Sequence, residues 1–113
     1  MLDLIIRNGK CYIDGKLETK DIAVKDGKIS KIGEINEEAK EIYDAKNQTV
    51  LPGCIDTQTH FREPGSTDTE DLHSGSRAAI VGGITAVFEM PNTNPPTSNK
   101  KEFQRKLDLA KNR

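Results

Sequence analysis

The residues with most chemistry to offer fall in one run, Asp56-Thr57-Gln58-Thr59-His60-Phe61-Arg62-Glu63-Pro64-Gly65. If the run begins as a strand, alternate side chains share a face. Asp56, Gln58 and His60 then point to one side, with His60 nearest the C-terminal end. In open parallel sheets and α/β barrels that end is where sites are built. A lone histidine there reads first as a hydrogen-bonded structural residue, so His60 needs support from its neighbours. Arg62, two residues further on, could clamp a carboxylate with its planar two-pronged donor, or it could pair with Glu63, Asp68 or Glu70. Asn92, in Met90-Pro91-Asn92-Thr93-Asn94-Pro95, could hydrogen-bond a ligand through its amide or close an Asx-turn. His73 falls on a charged helix side and reads as solvent-facing. Cys11 and Cys54 are too few for a disulfide framework and lack metal-site spacing, so both read as buried thiols.

These residues need elements to position them. Cys54 to Phe61 reads as a buried strand, Phe61 to Asp68 as a loop, and Thr69 to Val81 as a helix closed by Gly82-Gly83. Leu72, Ser76, Ala79 and Ile80 share one face of that helix, a stripe of small and apolar residues suited to packing on a sheet. Ile84 to Met90 is a second β-rich run, which puts Asn92 at its C-terminal end. Pro91 to Ser98 is a proline-rich loop. Asn99 and Glu102 have the spacing of a capping box, and Phe103, Leu107 and Ala110 form the apolar face of a last helix. Strand, helix, strand, helix implies parallel strands joined by right-handed crossovers.

The first fifty residues are organised differently. β-branched residues sit in short segments between Asp-Gly and other glycine turns, which reads as a run of strands. Leu2, Leu4 and Ile6 alternate, and Asn8-Gly9 ends that run. Cys11 to Ile13 precedes Asp14-Gly15, Ile22 and Val24 precede Asp26-Gly27, and Ile29 to Ile35 follows. Asp-Gly between strands is a hairpin signal, because glycine supplies the positive φ of a tight primed turn. Glu37 to Glu41 is a charged connection with room for one helical turn, ahead of Ile42-Tyr43 and Thr49 to Leu51. Leu51-Pro52-Gly53 marks a boundary, so the chain reads as a small β domain over residues 1–52 and an α/β segment over 53–113.

The chain has 113 residues, 34% of them hydrophobic, with no tryptophan. Counting glycine and leaving out tyrosine, the apolar share is roughly 40%, below the usual ~45–50%, a lean core that suggests part of something larger. Seventeen basic residues face eighteen acidic ones, spread along the chain. That balance argues against nucleic acid or an anionic membrane as partner. No apolar run reaches the ~18 residues of a membrane helix, and the start is unlike a secretory signal, so the expectation is a cytoplasmic protein.

Two segments together resemble a known family. LPGCIDTQTHFREPG, Leu51 to Gly65, resembles the first-strand signature of dihydroorotases within the cyclic amidohydrolase superfamily, and VFEMPNTNP, Val87 to Pro95, resembles their second-strand signature. EDLHSGSRAAIVGGITA and DLIIRNG are also similar to that family, so the resemblance covers essentially the whole chain. HFREPG and MPNTNP are its discriminating parts, since LPG-x-ID also fits hydantoinases and allantoinases.

The resemblance implies an α/β fold: a small, sandwich-like N-terminal β domain followed by the first two βα units of a metal-dependent (β/α)8 barrel. It implies interconversion of dihydroorotate and N-carbamoyl-L-aspartate in pyrimidine biosynthesis, with one or two zinc ions per complete subunit. Of the family's His-x-His metal pair, His60 matches the second member, and Gln58 replaces the first with a weak amide oxygen. Arg62 and Asn92 match the residues that hold the substrate carboxylate. The family's remaining ligands and its catalytic aspartate lie on later strands. A complete barrel takes about 250 residues, so the expectation is the N-terminal part of a longer enzyme, inactive alone and homodimeric when complete. The alternatives are another cyclic amidohydrolase such as allantoinase, or a non-catalytic partner of aspartate transcarbamoylase, which Gln58 would suit.

Overall fold

Two Asp-Gly pairs set the topology of the first half. In the computed structural model, which describes residues 1–113, Asp14 and Gly15 have φ of 47° and 82°, and Asp26 and Gly27 have 52° and 71°. Positive φ at both central residues is the geometry whose twist matches a two-residue hairpin. The first pair joins β1 (Leu2–Ile13) to β2 (Lys16–Lys25), and the second joins β2 to β3 (Lys28–Gly33), all antiparallel. β4 (Ala39–Asp44) and β5 (Thr49–Val50) then pair with the other side of β1 in parallel, giving the order β3-β2-β1-β4 with β5 beyond β4 along β1. The chain divides into two compact units, Met1–Pro52 and Gly53–Arg113.

Two expectations for the first unit change. Asn8-Gly9 does not end a strand. It is a bulge inside β1, where the register against β2 shifts between Ile6 and Gly9, and Asn8 adopts φ 57°. Asp21 accepts from the Asn8 backbone N–H at 2.9 Å and Asp44 from its side chain at 3.0 Å, so the irregular backbone stays hydrogen-bonded. Leu2, Leu4 and Ile6 alternate along β1, and the residue buried in the core lies between them. Ile5 is fully buried with Ala23 and Ile35, while the other three are half-buried. The segment after β3 brings Ile35 over Ile5, and the Arg7 guanidinium ties it down by donating to Ile35 O at 3.0 Å while pairing with Asp21 at 2.9 Å. Glu37 to Glu41 forms no helical turn. The free edge of β1 needs partners, and Leu2 N–H donates to Glu38 O at the start of the β4 pairing.

The second unit runs β6 (Cys54–Thr59), α1 (Leu72–Val81), β7 (Ile84–Glu89) and α2 (Lys100–Ala110), with β6 and β7 parallel. α1 starts at Leu72 rather than Thr69. Asp71 accepts from Ser74 N–H at 2.7 Å and its own N–H donates to the Ser74 hydroxyl at 3.1 Å, a complete capping box. The N–H groups of Thr69 and Glu70 are used by a turn onto Ser66 O. At α2 only half of the expected box forms: Asn99 accepts from Glu102 N–H at 3.0 Å, but the Glu102 carboxylate faces Arg105 at 3.7 Å. α1 packs through Leu72 and Gly75 rather than Ile80, which is 70% exposed. A Cβ on Gly75 would sit 2.5 Å from the Phe61 ring, so glycine is what permits this approach. β6 is mostly exposed rather than buried, because β7 is its single neighbour and no second layer covers Ile55. Cys11 is buried as expected, but Cys54, on that strand, is exposed. No helix is long and apolar enough to cross a membrane.

The Asp71 cap carries a pH signature. The backbone N–H and the hydroxyl of Ser74 hold the Asp71 carboxyl below the ordinary aspartate range. A carboxyl depressed in the fold contributes stability that is fully present above its unfolded value, ~3.9, and is lost as pH falls through the folded value. In an Asp71→Asn variant the amide caps the helix without titrating. Acid unfolding of the two proteins should therefore diverge between roughly pH 5 and pH 2, with the wild type losing more of its α1 helicity. Parallel profiles across that range would refute the assignment.

Candidate functional site

The C-terminal ends of β6 and β7 lie side by side, with Thr59 opposite Glu89. Met90 N–H donates to Thr59 O at 2.8 Å and extends the pairing past the last strand residue. The Glu89 carboxylate then reaches back across the gap. It accepts from Phe61 N–H with both oxygens at 3.1 Å and from the Thr59 hydroxyl at 3.1 Å. His60 is thereby held on both flanks by one side chain. The charge on Glu89 is balanced by Lys106 of α2 at 3.5 Å, whose ammonium also donates to Met90 O at 3.2 Å. Both side chains are largely shielded, 14% and 11% exposed, so these charge-assisted bonds lie beyond most solvent screening.

Above this clamp the imidazole of His60 is half-buried, and its Nδ1 lies 2.8 Å from Asn92 Oδ1. Nε2 makes no hydrogen bond within the chain. The structure thus joins two of the sequence candidates directly, one from each strand end. Asn92 uses its oxygen for His60 rather than for an Asx-turn.

Arg62 sits between two anchored residues. Phe61 and Glu63 are both buried, and Glu63 accepts from Leu72 N–H at 2.8 Å while pairing with Arg113 at 2.8 Å. With Glu63 so occupied, Arg62 forms none of the ion pairs open to it. It adopts φ 61°, is exposed, and its guanidinium has no partner within the chain. The loop that carries it rests on the loop that carries Asn92: Asn94 N–H donates to Pro64 O at 2.9 Å. At Gly65, φ is 115° and a Cβ would lie 2.6 Å from Asn94 Cβ and O, so only glycine fits the contact.

Gln58 is exposed. Its backbone N–H donates to Asp56 Oδ1 at 3.0 Å, and its side chain bonds neither His60 nor Asn92. His73 is exposed on α1. No three His, Cys, Asp or Glu side chains gather to hold a metal ion. Glu89 and Lys106 are the positioning residues that sequence reasoning missed. Each left a signal: Glu89 is a lone acid ending an apolar strand, and Lys106 falls within the stripe of Phe103, Leu107 and Ala110. The chain also has an apolar cavity of about 620 Å³ between α1, β7 and α2, lined by Phe61, Leu72, Val87, Phe103 and Leu107, on the helix side of the sheet.

Comparison with known proteins adds to this geometry. A model described as the Amidohydrolase family matches residues 49–111. An allantoinase of Salmonella choleraesuis (strain SC-B67) is 46% identical over 110 residues, covering 96% of this chain and 24% of the relative. A dihydroorotase of Methanosarcina mazei is 42% identical over 113 residues, covering 98% of this chain and 25% of the relative. Among solved structures, the L-hydantoinase (dihydropyrimidinase) of Arthrobacter aurescens superposes with a TM-score of 0.88 at 33% identity, covering 97% of this chain and 25% of that one. The chain thus spans about a quarter of the length of the relatives it matches.

Proposed function

The chain belongs to the amidohydrolase family, and on that premise we propose that it supplies the first two βα units of a cyclic-amide hydrolase whose substrate is the anion dihydroorotate. The observation that carries this reading is Arg62. Its loop is anchored at Phe61 and Glu63, yet its guanidinium is exposed and unpaired beside the ends of two parallel strands. A guanidinium offers five N–H donors and no acceptor, and the Nδ2 amide of Asn92, on the touching loop, is a donor as well. Two donors on adjoining, anchored loops suit a carboxylate, which accepts bidentately. Dihydroorotate carries one beside its cyclic amide.

His60 suits a zinc ligand through its unpartnered Nε2, whereas Gln58, a neutral amide pointing to solvent, does not. One imidazole falls short of the three protein ligands of a catalytic zinc, so the remaining ligands of this proposal come from residues other than those of this chain. A zinc so held would lower the pKa of a bound water and polarise the amide carbonyl. The work assigned to this chain is to bind and orient: Arg62 and Asn92 hold the carboxylate, and Glu89 holds the Thr59 hydroxyl and the Phe61 N–H on either side of His60.

A second reading is supported by the 46% identity to an allantoinase. Allantoin has a cyclic amide but no carboxylate, so the two readings separate at Arg62. The test is hydrolysis of dihydroorotate, allantoin and hydantoin by the protein encoded by the complete gene, wild type and Arg62→Met. Loss of a charge-assisted bond to substrate, about 1.5–3 kcal/mol, should lower kcat/KM for dihydroorotate roughly 10- to 150-fold. Hydrolysis of allantoin but not dihydroorotate by the wild type would decide for the second reading.

A further inference from the structure

We propose that Asn92 is the residue that sets the tautomer of His60, and that its amide divides two tasks between its two ends. The inference rests on the functional reading above only for what the free end of the amide meets. The tautomer itself follows from the chain's own geometry.

An amide oxygen can accept a hydrogen bond but not donate one. With Asn92 Oδ1 2.8 Å from His60 Nδ1, the hydrogen between them belongs to the imidazole. The neutral ring then carries its proton on Nδ1, and the lone pair is on Nε2, the nitrogen without a partner in the chain. This is the condition under which a histidine can serve as an acceptor or a ligand, and the group bonded to its other nitrogen decides it. Both bonded atoms are well held. Glu89 grips the residues on either side of His60, and the loop of Asn92 is tied to its neighbour through Asn94 and Pro64. Rotating the ring to exchange its nitrogens would break the one side-chain bond it makes.

The other end of the amide is free. With Oδ1 turned to His60, the Nδ2 end makes no hydrogen bond within the chain and offers its two hydrogens from an exposed residue beside the Arg62 loop. Asn92 thus presents a donor outward because it presents an acceptor inward. Aspartate at the same place could keep the inward bond, since a carboxylate accepts. Outward it would replace a donor with negative charge and oppose an anion.

The chain contains two histidines, His60 and His73, and the exposed His73 is an internal reference. The test is long-range 1H–15N correlation of the 15N-labelled 113-residue chain at about pH 8, above the ordinary range of imidazole titration. Wild-type His60 should show a single tautomer with Nδ1 protonated and Nε2 bare, and His73 the averaged pattern of a free imidazole. In Asn92→Ala, His60 should move to the averaged pattern; in Asn92→Asp it should keep the wild-type one. Backbone amide spectra report whether each variant is folded. An Nε2–H or averaged pattern in the wild type overturns the proposal, as does a folded Asn92→Ala variant with the tautomer unchanged. Should Asn92→Ala unfold, the wild-type pattern and its retention in Asn92→Asp decide. None of these readouts involves substrate, so failure of the dihydroorotate reading leaves them untouched. If that reading also holds, Asn92→Asp in the complete protein keeps the tautomer and loses dihydroorotate binding.

Discussion

Replacing Glu89 by alanine should cost the second unit about 3–5 kcal/mol, a large part of the ~5–15 kcal/mol by which a domain of ordinary stability is folded. The single carboxylate serves Phe61 N–H, the Thr59 hydroxyl and the Lys106 ammonium. Removing it leaves the buried Phe61 backbone and a shielded lysine without their acceptor, and such orphaned groups carry their full desolvation penalty. Far-UV circular dichroism through a urea titration would measure the loss. A double substitution, Glu89→Gln with Lys106→Met, should recover part of it, because exchanging both members of a shielded pair for neutral groups strands no charge. A Glu89→Ala protein within about 1 kcal/mol of wild type would mean that the clamp around His60 holds nothing.

The second large effect is expected at Gly65→Ala. Backbone strain at φ 115° costs a non-glycine residue about 1–3 kcal/mol, and a Cβ placed 2.6 Å from Asn94 Cβ and O must also push the two loops apart, for about 1–3 kcal/mol more. Gly15→Ala isolates the first contribution: φ there is 82°, and nothing lies within 4 Å of the added carbon. Gly65→Ala should therefore be the more damaging of the two in thermal unfolding. It should also loosen the Asn92 loop, visible as loss of the single-tautomer pattern of His60. Equal damage from both substitutions would show that the loops do not depend on their contact at Gly65.

What the residues dictate by themselves is local. Asp14-Gly15 and Asp26-Gly27 announced hairpins because the required φ is a property of the dipeptide. Cys54 to Phe61 and Ile84 to Met90 announced strands, which end at Thr59 and Glu89 in the fold, with Gly82-Gly83 closing the helix between them, through the same short-range preferences. The end of a parallel strand is also a position in sequence, so His60, Arg62 and Asn92 were identifiable as candidates before any packing was known. Errors arose where a distant partner decided. Asn8-Gly9 resembles a turn until Asp21 and Asp44 satisfy it inside a strand. Cys54 resembles a buried thiol until its strand proves to have one neighbour.

The residue types and order of this chain determined by themselves its two-part organisation, its strand-helix-strand-helix second half and the donors available at the strand ends. Only the tertiary structure decided what those donors do. Glu63 could have taken Arg62, and instead it took Leu72 N–H and Arg113, fifty residues away, leaving Arg62 free. Asn92 could have closed its own turn, and instead it bonds His60, 32 residues away. Short-range preference fixes backbone conformation because its energy lies within a few neighbouring residues. A polar side chain's partner is settled by which buried donor or charge would otherwise go unsatisfied, and that comparison exists only once the chain has packed.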